Sequence, residues 1–132
     1  MADRGSVLPA VLALAFGGLL ILGVSMDLGR WASSHREAAS AADAGAQAGA
    51  AMVLPNELRL GVVAVDGDAA RVVAEEAALG SRPRAGRVVQ VIVVDNEVCV
   101  AIEQTYTSRL LSSLGVTPDL VRATSCASPA RG

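Results

Sequence analysis

Between Arg4 and Asp27 the chain runs for 21 residues, Ser6 to Met26, without a charged side chain. As a helix rising 1.5 Å per residue this segment spans roughly 30 Å, the hydrocarbon thickness of a bilayer. Leu8, Leu12, Phe16, Leu19, Leu20, Ile21 and Val24 put apolar groups on every face, whereas a surface helix of a soluble protein keeps a polar stripe. The segment reads as a transmembrane helix, span about 6–26, with membrane lipid as its first partner. The competing reading is a cleaved secretory signal, which has a basic leader, an apolar core of about 7–15 residues and a small-residue cleavage site. Here the leader Met1–Gly5 is nearly neutral, the core is longer, and the chain passes directly into more helix-forming sequence. A retained anchor is expected.

The remainder of the 132 residues has room for one small domain. The 52% hydrophobic content is inflated by the anchor and by alanine. All eleven basic residues are arginine, and the net charge is −2. No basic stripe marks a nucleic-acid partner. Charge counting gives weak orientation: Arg4 precedes the span, Arg30 and Arg36 follow it. By one charge this favours a cytoplasmic C-terminal part. Trp31 lies where an interfacial aromatic anchor would sit, and equally where a plain helix-surface residue would.

From Asp27 to Val53 no proline interrupts an alanine-rich stretch, so the helix is expected to continue to about Leu54, where Pro55 and Asn56 break it. A helix from Ser6 to Leu54 is roughly 70 Å long. Ala41, Gly45 and Gly49 recur every fourth residue and share a face that admits close backbone approach. Two glycines cost about 1 kcal/mol each in a helix, which favours a packing role, against the distal domain, a neighbouring subunit or both.

This divides the chain into residues 1–54, anchor and extended helix, and 55–132, a small α+β domain. In the second part Asp66 is placed to cap a helix over Gly67–Leu79, closed by Gly80. Ala70, Val73, Ala74, Ala77 and Ala78 form its apolar face. Ser81–Gly86 reads as a loop. Val88–Val94, the turn residues Asp95 and Asn96, and Glu97–Tyr106 form a hairpin pattern. Leu110, Leu111 and Leu114 suggest a helical turn or two plugging one end of the core, and Val121–Ser125 a third strand. The fold expected is α+β, a long N-terminal helix packed on one helix and about three antiparallel strands.

Strand parity sets Val98, Val100 and Ile102 on one face of the second strand, leaving Glu97, Cys99, Ala101 and Glu103 on the other. The same rule puts Cys126 opposite Val121 and Ala123. Both cysteines then lie on solvent faces of strands that, if adjacent and in register, permit a Cys99–Cys126 disulfide. Closing a loop of about 28 residues contributes roughly 3–4 kcal/mol in the chain-entropy model. The pairing presupposes a domain outside the cytoplasm; the alternative is two unpaired thiols.

Enzyme readings find no support. The single histidine, His35, sits among charged helix residues beside Arg36 and Glu37. No histidine–cysteine cluster has metal-ligand spacing, and Asp66-Gly67-Asp68 is too short for a calcium loop. Ser33 and Ser34 have no partner base, and Glu75 and Glu76 point to different helix faces. No catalysis, cofactor, metal or small-molecule substrate is expected.

The order of motifs resembles TadE/TadG-like proteins of Tad (Flp) pilus loci. The residues concerned are Arg4-Gly5-Ser6 ahead of the span, Met26-Asp27-Leu28-Gly29-Arg30 after it, and the run Ala41–Ala50. Leu58–Asp66, Val98–Ile102, Leu110–Val116 and Val121–Thr124 agree with small members of that group. The resemblance implies a minor pilin or pseudopilin-like subunit, or an assembly factor, of a Tad-type pilus and secretion apparatus. It implies partners among that system's membrane proteins or pilins, and a single-pass protein of the bacterial inner membrane with its distal domain outside the cytoplasm, against the one-charge count. Some members are cleaved after a glycine with a glutamate five residues into the mature chain. Gly5 and Ser6 would then flank the processing site, but the fifth residue after Gly5 is Ala10. That departure suits the uncleaved TadG-like members better. The alternative function is a bitopic envelope protein whose distal domain binds a partner without polymerising.

Overall fold

A computed structural model describes residues 7–80, 87–108, 112, 115 and 119–130. Its dominant element is α1, Val7–Ala50, a 44-residue helix about 66 Å long. Its first half is exposed on all sides, while buried positions begin at Asp27 and recur at Ser34, Ala38, Ala42, Gly45, Ala46 and Gly49. These spacings of three, four and seven trace one stripe of a helix, and that stripe carries the domain.

The helix ends at Ala50 rather than near Leu54. Leu54 precedes a proline and is extended (φ −69°, ψ 117°), as the steric demand of the ring requires. The released main chain is taken up at once: Leu54 N–H donates to the Ala64 carbonyl, Asp66 N–H donates to that of Met52, and Val53 bridges Val65. Pro55 then opens a short helix that the sequence reading did not foresee, α2 (Pro55–Arg59). The next helix, α3 (Gly67–Leu79), is capped by Asp66, whose side chain accepts from Ala69 N–H, and ends at Gly80 with φ +61°.

Three strands follow, β1 (Val88–Val94), β2 (Glu97–Tyr106) and β3 (Asp119–Ala127), in one antiparallel sheet of order β1-β2-β3. Asp95 and Asn96 both have positive φ, 48° and 71°, the two-residue turn whose twist matches a hairpin. Strand β3 is longer than Val121–Ser125 by two residues at each end. The expected plug at Leu110, Leu111 and Leu114, the 81–86 loop, and Gly5 and Ser6 lie outside the described residues.

The inner sheet face carries Val98, Val100, Ile102 and Val121 into a core with Ala38, Ala42, Ala46, Ala70, Ala74 and Ala78. Helix α1 lies over β2 and β3, and α3 lies beside it over β1. This is α+β architecture: α3 and the second half of α1 on one face of a small sheet, with the apolar first half of α1 projecting from it.

Candidate functional site

Two regions of α1 carry the features that sequence reasoning singled out, and neither resembles a catalytic pocket. The first is the projecting half. An 18-residue window within it has mean hydropathy 2.5, and none of that window is buried by the rest of the protein. Among the described residues this is the one helix long and apolar enough to cross a membrane. Its length and exposure fit a single-pass membrane protein.

The second region is the seam where α1 meets the domain. Gly45 and Gly49 are buried, and Ala41 is only half-buried at the edge, packed against the core. The centre of the stripe runs through Ala38, Ala42, Gly45, Ala46 and Gly49. A Cβ on Gly45 would fall 2.8 Å from the Ala74 carbonyl oxygen and 2.9 Å from Ala78 Cβ. On Gly49 it would fall 2.8 Å from Val98 Cγ1 and 3.0 Å from Ala74 Cβ. Both glycines therefore admit α3 and β2 at a distance no other residue allows. The surface they meet is the protein's own domain.

Nearer the span the seam turns polar. Tyr106 donates its hydroxyl to the Asp27 carbonyl (2.9 Å), and Ser108 Oγ donates to the Asp27 carboxylate (2.7 Å). Two turns along, Gln104 Nε2 donates to both the carbonyl and Oγ of Ser34, each at 2.8 Å. The Gln104 oxygen accepts from Arg87 Nε and Nη2 at 3.3 and 3.1 Å. Arg87 also donates to the Ala78 carbonyl and pairs with Glu37 at 3.2 Å. One guanidinium thus ties β1 to α1, to β2 and to the end of α3. Because every described buried polar side-chain atom has a partner, the seam fixes the helix in one register; a slip by a turn would leave those groups dry and unpaired.

Cys99 and Cys126 face each other directly across β2 and β3 and are joined by a disulfide, on the outer face of the sheet. With Glu97 they form the one compact group of potential metal ligands among the described residues; bonded to each other, the sulfurs offer no thiolate. His35 is exposed, its ring 6.0 Å from that of Trp31. Ser34 is consumed by Gln104, Asp66 by its cap, and Glu75 and Glu76 are exposed. An open hollow of about 260 Å³ is lined by Arg30, Ser33, Ser34 and Tyr106, with no acid–base pair in its lining.

Sequence reasoning missed the polar half of the seam and the role of Asn96. The Asn96 side chain accepts from Val65 N–H (2.8 Å) and donates to the Val63 carbonyl, pinning the hairpin tip to the 62–65 segment.

A helix apolar and long enough to span a membrane, continuous with a segment locked into its own small α+β domain, is the arrangement these features define. Residues 5–52 match the Tad family model, described as "Putative Flp pilus-assembly TadE/G-like". Over this N-terminal segment the chain is similar to TadE/G-like proteins of Flp pilus assembly. No curated protein and no solved structure matches the chain. The matched segment holds the span and the whole Ala38–Gly49 seam, while the sheet lies beyond it.

Proposed function

We propose that this protein is a minor pilin or pseudopilin-like subunit, or an assembly factor, of a Tad-type pilus and secretion apparatus. The carrying observation is the division of α1. Residues 7–26 are apolar and bare on every face, and residues 27–50 are fused to the domain by small residues and a satisfied polar ladder. A helix so divided transmits position from the bilayer to the domain as one body, which a tethered domain on a loose linker would not do. The match to a pilus-assembly family over this helix supports the same reading. Its role is structural, with pilus-system membrane proteins or pilins as partners.

The bacterial inner membrane, with the domain on the extracytoplasmic side, is the location that accommodates the Cys99–Cys126 disulfide. One observation favours an anchored assembly factor over a polymerising subunit: the span contains no carboxylate, and Ala10 stands where a processed subunit would carry glutamate. The second reading, a bitopic envelope protein that binds a partner without polymerising, shares that feature. Photocrosslinking in cells separates them. A photoreactive residue at Leu20 is expected to capture Flp-type pilin or platform membrane proteins. Crosslinks to lipid alone, in piliated cells, would reject the pilus reading.

A further inference from the structure

We propose that the free edge of β1 is an acceptor site for one extended, uncharged strand of a different protein. Strand β1 is an edge. Its turn makes Val94 and Glu97 a hydrogen-bonded pair, so Val88, Gln90, Ile92 and Val94 bond to β2 through the register Val94↔Glu97 to Val88↔Glu103. The N–H and C=O groups of Val89, Val91 and Val93 therefore point away from the sheet, and no hydrogen bond among the described residues engages them. Proteins ordinarily guard such edges with lysine, proline, a bulge or a covering loop. Val-Val-Gln-Val-Ile-Val-Val has no charge and no proline, and its pairing is continuous. The opposite edge, β3, carries the exposed Arg122.

The layer above the sheet is built for another strand. Two packed helices cover about 18–20 Å, whereas three strands span about 14 Å and four about 19 Å. Helix α3 lies over β1, the last strand on its side. Consistent with that shortfall, Val89, Val91 and Val93 are only half-buried, while Val98, Val100 and Ile102 on the central strand are fully buried. On the outer face Val88, Ile92 and Val94 are 52%, 57% and 57% exposed. An added strand would satisfy the outward main chain and cover both rows. Charged side chains on it would face apolar neighbours, so the fitting segment is extended, uncharged and apolar at alternate positions.

A second copy does not fit. Gly49 sits against Val98 and Ser34 against Gln104, so α1 runs antiparallel to β2 and along β1. Antiparallel β1–β1 pairing would aim two spans in opposite directions. Parallel β1–β1 pairing about a two-fold axis would set Val91 N–H against Val91 N–H. Pairing β1 with the β3 of a neighbour accumulates about 20–25° of twist per strand, swinging the second span by about 60–75° from the first. The partner is a lone strand.

The edge is testable with the full chain in nanodiscs and a fluorescent, end-blocked peptide of alternating threonine and valine. Val91→Pro deletes an outward N–H and leaves the β1–β2 ladder intact; Ile92→Lys adds a guarding charge without touching the main chain. Retained amide protection at Gln90 and Ile92 verifies the fold of Val91→Pro. Wild type is expected to bind the peptide, slowing amide exchange at Val89, Val91 and Val93 at least tenfold. Both variants should weaken binding at least tenfold, and Thr124→Pro on the opposite edge less than twofold. No binding by wild type, or binding indifferent to both β1 variants, overturns the proposal. So does a wild-type dimer that Val91→Pro dissolves, since the edge would then belong to a second copy.

Discussion

Gly45 and Gln104 hold the same interface by opposite means. At Gly45 the constraint is space: the nearest obstacle to a Cβ is a main-chain oxygen at 2.8 Å, which cannot swing aside. Alanine improves helix propensity by about 1 kcal/mol, yet Gly45→Ala is expected to lower thermal stability, because overpacking costs about 1–3 kcal/mol. Gly29 lies in the same helix with nothing within 4 Å, so Gly29→Ala should leave the midpoint unchanged or raise it. Equal responses at the two sites, read by thermal unfolding of the purified protein, would show that the seam is loose. At Gln104 the constraint is polarity. Gln104→Leu strips Arg87 of an acceptor while its side chain is only 4% exposed. The expected loss is about 1–3 kcal/mol, toward the upper end because the orphaned donor is charged. Glu37, whose side chain is 40% exposed, should matter less, under about 1 kcal/mol for Glu37→Ala. The four-residue glycine spacing was readable in the sequence because glycine is costly inside a helix. Gln104 was not, since a glutamine in a strand announces neither its face nor a partner 70 positions away.

Among the elements, the helices and hairpin follow from local chemistry. Asp66 and Gly80 bracket α3, and Asp95-Asn96 turns the hairpin because both residues tolerate positive φ. The end of α1 follows from a combination: Pro55 excludes helix at Leu54, and pairing of 52–54 with 64–66 draws the break back to Ala50. That second cause is long-range and leaves no mark in the local pattern. The same holds for α2, five residues of no distinctive periodicity. For the sheet, parity put Cys99 and Cys126 on one face; their direct opposition depends on the β2–β3 register, which no local pattern encodes. The bond closes a sequence separation of 27 residues and is worth roughly 3–4 kcal/mol in the chain-entropy model. Reduction should lower the unfolding midpoint of the domain without releasing the protein from membranes. Quantitative thiol labelling of unreduced protein from cells would contradict both the bond and the extracytoplasmic location.

At the scale of the molecule, the chain is an apolar rod with a domain moulded onto its far half. The rod was legible from hydropathy alone, because 21 uncharged residues leave few other structures open. That the rod and the domain share one core was legible only in part: alanine and glycine advertised close packing but not against what. Leu20→Arg places a charge at the centre of the span and should impair insertion by about 2.5–3.5 kcal/mol on translocon scales, read as a fall in the carbonate-resistant fraction. Normal insertion of that variant would displace the span. The assignment to a pilus machine rests on the family match over residues 5–52 together with this rigid coupling of span to domain. Its most direct test is to count surface Flp-type filaments by electron microscopy in a strain from which this chain has been deleted. Filament loss is expected, reversed by the wild-type chain and not by Gly45→Leu. Undiminished piliation in the deletion strain would contradict the assignment.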